Sequence, residues 1–426
     1  MIAAGGCRCG GSSREVPGAE REPTLLERID ESLSAAGAFL ASQQSADGSI
    51  RSRTYAALKD GWSLTTLSLA TLRFVPQTSE IERAYRRGAD FIASLVDDQG
   101  RIANDRERPQ YAVYSIALAV LVLNAPGNER HLEARDALME MLRSLQLTEH
   151  NGWQPSDPSY GGWSYYHDLP VKPDGPLTDV LLPANLTATL YAIGAIRLAG
   201  VASDDPAMVK ALAFVKRCQN YADNPAQGDP DYDDGGFFMS PEVADENKAG
   251  TAGTDRFGRT RYRSYGSITA DGLRAMIRLG MELDHPRVRA AADWLRLRFT
   301  AARTPGMFPP QDEYRRESTY YYYLWSVAHA LRLLAIPEIR TRAGKLQWAR
   351  VLANEVLQRQ RPDGSWLNRY TEGREDDPIV ATAFAAAALA NAKIALTGEQ
   401  QSHAALPQPE TDAGPAGAGA AGDASR

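Results

Sequence analysis

The sequence predicts an all-α fold, an (α/α)6 toroid in a single domain. Two kinds of helix alternate along the chain, six of each. A turn of recurring composition joins the members of each pair, and no region keeps up the period-two alternation of strands.

The pairs run in order. "TLLERIDESLSAAGAFLASQQ" precedes "GWSLTTLSLATLRF", and "SEIERAYRRGADFIASLV" precedes "PQYAVYSIALAVLVLN". "NERHLEARDALMEMLRSLQL" precedes "PANLTATLYAIGAIRLA", and "DDPAMVKALAFVKRCQN" precedes "YGSITADGLRAMIRLG". "HPRVRAAADWLRLRFTAA" precedes "STYYYYLWSVAHALRLLA", and "QWARVLANEVLQRQ" precedes "PIVATAFAAAALANAK". Each first member is amphipathic with one charged face, and each second member is apolar or small nearly all round. Two concentric rings satisfy both kinds, dry helices inside and charged helices around them.

The joining turn carries Gln44 with Asp47-Gly48-Ser49-Ile50, then Gln99-Gly100-Arg101-Ile102, Gln146 with Gly152-Trp153, Gln219 with Gly235-Gly236-Phe237, and Gln360 with Asp363-Gly364-Ser365-Trp366. The fifth copy keeps only Gly306-Met307-Phe308. Asp-Gly favours a tight turn with positive φ, and the following aromatic is placed to plug the gap between neighbouring outer helices. Residues 1–22 and 398–426 are poor in large apolar residues and rich in Gly, Ala, Ser and Pro, so they read as disordered tails around a toroid at 23–397.

The net charge of −6 in 426 residues offers no basic surface for a nucleic acid. No apolar run reaches the roughly 18 residues of a membrane span, and "YAVYSIALAVLVLNAPG" reads as a buried helix; contact with a membrane surface stays open. The three cysteines, Cys7, Cys9 and Cys218, make neither a disulfide framework nor a four-thiolate zinc site. "AAGGC" ends like a lipoprotein cleavage box without an apolar segment before it. The expectation is therefore a cytoplasmic protein, exported or lipid-anchored if the true start lies upstream of Cys7.

"LQRQRPDGSW" resembles the QW repeat of squalene-hopene cyclases, and the sixfold pattern, over roughly residues 24–397, resembles the terpenoid cyclases and protein prenyltransferase β subunits. The resemblance implies a deep, aromatic-lined cavity inside the inner ring that receives an isoprenoid chain. It departs from two members of the family. Triterpene cyclases join two such toroids, and this chain has length for one. The prenyltransferase zinc site needs a histidine where Leu324 stands, and Cys218 lies on an outer helix. No metal or other cofactor is expected.

The stretch "DPDYDDGGFFMSP" at 229–241 has three readings. Asp231-Tyr232-Asp233-Asp234 spells the Asp-x-Asp-Asp motif with which class II cyclases protonate an alkene, making Asp233 a candidate acid. Asp229, Asp231 and Asp233 also follow the start of a calcium loop, although the glycine comes one place late and Ser240 stands where a glutamate is required. Thirdly, Asp234-Gly235-Gly236-Phe237 repeats the joining turn. The turn reading leads, because the motif falls some thirty residues before the next inner helix.

Asp376 and Asp377 stand at an inner-helix start and are better placed acids, against ordinary capping ahead of Pro378. Trp62, Tyr111, Tyr114, Tyr265, Tyr320 and Tyr323 lie near the ends of inner helices where two long loops, 148–182 and 220–264, emerge, and they are candidate cavity residues. Arg263 belongs to a set with Arg106, Arg108, Arg261, Arg315, Arg316, Arg369 and Arg374. These either converge on an anion or pair locally with Glu107, Glu317, Glu375 and Asp376. His329 reads as a satisfied core histidine, and the His167-Asp168 neighbours carry no acid-base argument.

The sequence thus points to a terpenoid-cyclase-like protein, an isomerase or prenyltransferase-like enzyme or a binder, for an apolar isoprenoid of squalene or prenyl diphosphate type. One alternative is a non-catalytic toroid that binds a protein or ligand. The other is an (α/α)6 carbohydrate-active enzyme, which needs two carboxylates across an open cleft. No oligomeric state is implied.

Overall fold

The computed structural model describes residues 23–102, 111–224, 226–341, 344–369 and 372–398. Arg106, Glu107, Arg108 and the expected tails, Gly398 apart, lie outside them. The helices are α1 (Leu25–Ser42), α2 (Trp62–Leu72), α3 (Ser79–Ser94), α4 (Ala112–Leu123), α5 (Leu132–Ser144), α6 (Leu186–Leu198), α7 (Pro206–Arg217), α8 (Gly266–Arg278), α9 (Pro286–Arg298), α10 (Glu313–Glu317), α11 (Tyr320–Leu333), α12 (Trp348–Gln358) and α13 (Pro378–Thr397). All twelve expected helices are present, and the one-turn α10 is added in front of α11. Three short antiparallel strand pairs sit in loops: 163–164 with 184–185, 251–254 with 260–262, and 339–341 with 344–346. Each is too short to show alternation in the sequence.

Capping sets where the outer helices begin. Thr24 and Glu27 form a reciprocal capping box on α1, Thr78 caps α3, and Asp205 followed by Pro206 starts α7. The apolar helices pack in a closed circuit: α2 on α4, α4 on α6, α6 on α8, α8 on α11, α11 on α13, and α13 back on α2. The charged helices lie against them, α3 on α2, α5 on α4, α7 on α6, α9 on α8, and α1 and α12 on α13. The chain is all-α in class.

One interaction recurs at the joining turns. The side-chain amide of Gln44 donates to Gly48 O and Ala84 O, both at 2.8 Å. Gln146 donates to Gly161 O and Ala207 O, both at 2.8 Å. Gln219 reaches Gly235 O at 3.0 Å and Arg287 O at 2.9 Å. Gln360 reaches Gly364 O at 2.9 Å and Ser32 O at 3.0 Å. Each amide therefore ties its own turn to the next outer helix, and the last one ties the sixth pair to α1. A threonine on the following inner helix completes the joint. The N–H groups of Ile50, Trp163, Phe237 and Trp366 donate to Thr65, Thr189, Thr269 and Thr382 at 2.7 to 3.1 Å.

This register corrects two turns. In the third copy the clamped turn is Gly161-Gly162-Trp163, whereas Trp153 bonds Pro170 O within the long loop. In the second, Val96 takes the place of the glutamine, pairing with Ile102 as Gln44 pairs with Ile50, and Gln99 lies inside the turn. Asp97 holds that turn by accepting from the N–H groups of Gln99 and Arg101.

The longest apolar helix is α13, not the segment around α4. By length and composition α13 is sufficient to cross a bilayer, but 72% of its apolar window is buried among the other helices, which marks a core helix.

The loop before α13 also sets the start of α11. Glu375, fully buried, accepts from the N–H groups of Tyr321 at 3.0 Å and Tyr322 at 2.7 Å and from Asn368 Nδ2 at 2.9 Å. These donors and the positive helix end favour the carboxylate, yet burial outweighs them and pushes the Glu375 carboxyl up to about 7.

Two predictions follow from these joints. Gln360→Ala leaves Ser32 O and Gly364 O without their donor, and urea unfolding is expected to show a loss of about 2 kcal/mol. Glu375 binds its proton more tightly folded than unfolded, so its stabilising contribution is present below the unfolded value and lost as pH rises toward 7. Thermal unfolding across pH 4.5–7 is expected to show a decline of up to about 3 kcal/mol in the native protein and a flatter profile in Glu375→Gln.

Candidate active site

Inside the circuit, the N-terminal halves of the inner helices enclose a cavity with about 230 Å³ of room for water-sized molecules. Its wall takes Ser63, Leu64 and Leu67 from α2, Tyr114, Ser115 and Leu118 from α4, Thr187 and Tyr191 from α6, Ser267 and Ile268 from α8, Tyr322 from α11, and Val380 and Phe384 from α13. The long loops contribute Tyr165, Met239 and Lys248, and the last loop Glu372, Gly373 and Arg374. The wall is mostly apolar.

The aromatic side chains form one connected set. Tyr114 stacks on Tyr165 at 5.6 Å and meets Tyr191 edge-on at 4.8 Å. Tyr191 lies 5.9 Å from Trp325, which contacts Tyr322 at 5.4 Å and Phe384 at 5.6 Å. Burial raises the phenols of Tyr114, Tyr165 and Tyr322 well above their ordinary value. The rings stay neutral, with electron-rich faces that attract cations.

Asp271, in the middle of α8, is fully buried behind this wall. Its Oδ2 accepts from Tyr322 OH at 2.6 Å and Thr187 Oγ1 at 3.1 Å, both hydroxyls of cavity-lining residues. Its Oδ1 accepts from Ser326 Oγ at 2.5 Å and stands 3.5 Å from Arg274 Nη1. Arg274 lies over Trp325 at 4.3 Å. Burial pushes the Asp271 carboxyl above the usual carboxylate range, against the opposing pull of Arg274 and the three hydroxyls.

Among the expected site residues, Tyr111, Tyr114 and Tyr265 line the cavity, and Trp62, Tyr320, Tyr323 and Arg263 do not. Trp62 is buried at the start of α2 away from it. Tyr320 and Tyr323 send their hydroxyls to Ala301 O and Thr300 O, just beyond α9 and away from the cavity. Tyr322, Trp325 and His329 form the inward stripe of α11, at the three- and four-residue spacing of one helix face. Arg263 is spent on Ala249 O and Thr251 O.

The expected acids are placed elsewhere. Asp377 caps α13 by accepting from Ile379 N at 2.9 Å, and Ser52 Oγ donates to it at 2.5 Å. Asp376 accepts from Tyr55 OH at 2.5 Å. Asp233 pairs with Arg261 at 2.5 Å and accepts from Asp229 N at 2.7 Å. Asp229 accepts from Asp231 N at 3.3 Å, so the acidic prefix bonds to itself and to Arg261. Asp234 accepts from Gly236 N, Ser264 Oγ and Trp294 Nε1, the last on outer helix α9. It is a turn residue.

The arginines at this end are paired. Arg261 binds Asp233 and Asp255, Arg315 binds Asp245 and Glu372, and Arg316 binds Glu313. Arg374 stacks on Tyr55 at 4.5 Å. The partners are mostly not the expected ones, since the two long loops bring in carboxylates distant in sequence. His167 and Asp168 stand 3.4 Å apart. His329 is not a satisfied core histidine: it lines a second cavity and has no hydrogen bond among the described residues. The sequence signal for Asp271 is a lone carboxylate in "ITADGLRAM", on a helix that must be buried on most sides.

The fold is similar to that of a type II terpene cyclase from Scytonema, solved in complex with geranylgeranyl dihydroxybenzoate as substrate. The TM-score is 0.52 at 14% identity, covering 87% of this chain and 99% of that one. The same cyclase with its product, merosterolic acid A, matches at TM-score 0.50 and 14% identity over 88% and 98% of the two chains. A protein from Actinoplanes matches at TM-score 0.51 and 18% identity over 85% and 99%. No family model matches the sequence, and no curated protein sequence does. At these identities the likeness is one of architecture: the chain has a terpenoid-cyclase-like fold.

Proposed function

We propose that the helix circuit is the inner ring of an (α/α)6 toroid whose cavity binds an isoprenoid chain and cyclises it by protonation, with Asp271 as the acid. The observation that carries this reading is the pairing of a buried carboxyl of raised proton affinity with the hydroxyls of two residues that line an aromatic cavity. With Asp271 protonated, its hydrogen bond to Tyr322 reverses, and the tyrosine's own hydrogen is freed toward the cavity. The alkene π pair takes that proton as a new C–H bond, and Tyr322 recovers one from Asp271. The carbocation left behind is attacked by the next double bond in the chain, closing a ring. The last carbocation gives up a proton from a neighbouring carbon, which returns through Tyr322 to the Asp271 carboxylate, so the acid is restored and the sum is an isomerisation.

The neutral rings of Tyr114, Tyr165, Tyr191, Tyr322 and Phe384 surround the path of the positive charge. Glu372 is the sole carboxylate among the described lining residues, and it is paired with Lys248 at 2.9 Å. Among the described lining residues there is no glycosidase-like pair of acids.

A second reading is isoprenoid binding without chemistry, favoured by the complete enclosure of Asp271 beside Arg274. Incubation with geranylgeraniol and squalene, read by mass spectrometry, separates the two. Cyclisation predicts products of unchanged mass and new retention, and a loss of about 100-fold or more in turnover for Asp271→Asn with ligand affinity retained. Binding with no product in the native protein supports the second reading, and failure of either compound to bind removes both.

A further inference from the structure

A second cavity, about 350 Å³, lies at the opposite end of the inner helices and meets the first across Leu67, Leu118, Tyr191 and Phe384. Its polar wall differs in kind from the first. Arg73, Arg278, Arg332 and His329 line it, and the described lining residues include no carboxylate.

Arginines in the last turn of a helix ordinarily answer the negative end of its dipole. Arg197 does so here, donating from Nε to Arg278 O at 2.9 Å and from Nη1 to Val201 O. Arg332 spends Nε on Asn391 Oδ1 at 2.8 Å. The guanidinium of Arg278 has neither a hydrogen bond nor an ion pair among the described residues. It is also given room. A Cβ on Gly194, in the middle of α6, would sit 2.7 Å from Arg278 Nη1. Glycine at such a position costs about 1 kcal/mol of helix stability relative to alanine.

The crowding has an electrostatic price. Burial and the charges of Arg274 and Arg332 pull Arg278 down to about 9. Burial and the same arginines hold His329 neutral, as a hydrogen-bonding group without charge. Five donors in a fixed fork, unpaired in a cavity with no carboxylate among its described lining residues, match the oxygens of a phosphate or carboxylate.

We propose that this second cavity is a binding site for an anionic head group, phosphate or carboxylate, held by Arg278 with Arg332 and His329, its chain passing into the aromatic cavity. The anion site stands on its own geometry, and the chain's course rests on the isoprenoid reading above.

The test is calorimetric titration of the full chain with inorganic phosphate, geranylgeraniol and geranylgeranyl phosphate, in the native protein and in Arg278→Gln and Arg278→Lys. The site predicts that geranylgeranyl phosphate binds at least about tenfold more tightly than the alcohol, and that Arg278→Gln removes this advantage while leaving the alcohol's affinity unchanged; tenfold is about 1.4 kcal/mol, within the range of a charge-assisted hydrogen bond. Arg278→Lys is expected to keep part of the advantage, and its retention shows that the fold tolerates change at this position. Equal affinities for phosphate ester and alcohol, or an advantage that survives Arg278→Gln, overturn the proposal. Binding of inorganic phosphate that Arg278→Gln abolishes, with no binding of either chain compound, sustains the anion site as one for a free anion and removes the isoprenoid reading instead.

Discussion

One amide group that donates to two carbonyls is the constraint from which the architecture follows. In four of the six joints a glutamine spans its own turn and the next outer helix. One acceptor is a carbonyl of the turn, which needs a donor when buried, and the other is a carbonyl of the neighbouring outer helix, which takes the amide as a second donor. The turn glycine is forced by the same approach. Gly364 has φ +84°, and a Cβ there would stand 2.5 Å from Ala35 O of α1. The sixth turn therefore presses on the first outer helix, and the circuit closes through a backbone contact that only glycine allows.

Once the turns are fixed, every inner helix enters from the same end. The long loops fall at that end and roof the aromatic cavity, while the C-terminal turns gather at the other. Side-chain direction then sorts the residues. On α11, positions 322, 325 and 329 face the cavities, and 320 and 323 face the segment after α9. The polar character of each cavity is a consequence of where on an inner helix a residue lies.

This explains what was legible in the sequence. The alternation of wet and dry helices and the repeated turn identified all twelve principal helices, because burial pattern and turn chemistry are local signals. Tyr111, Tyr114 and Tyr265 lie near helix starts and line the cavity. Tyr320 and Tyr323 also lie near a start and point away from it, because nearness to a start does not fix rotation about the axis. Asp271 belongs to no spelled motif, whereas the spelling at 231–234 serves a turn bonded to Trp294. A charged residue on a helix with no wet face is the stronger signal, as its burial must be justified by partners or by chemistry. The partners of the loop arginines were illegible for a different reason, being set by how two long loops fold over the mouth.

The two cavities also bear on each other electrostatically. Each inner helix carries roughly half a negative charge at its C-terminal end, and these ends face the second cavity. Arg197 and Arg73 answer part of that charge through direct hydrogen bonds to Arg278 O, Val201 O and Leu121 O, whereas Arg278 adds a positive charge with no such partner. A cation formed among Tyr191, Tyr322 and Phe384 would feel that charge through a low-dielectric interior, where screening is weak. An anion held at Arg278 would cancel it. The anionic head group proposed for the second cavity would thus do more than anchor a chain: it would lower the cost of positive charge in the aromatic cavity, where the proposed chemistry needs it.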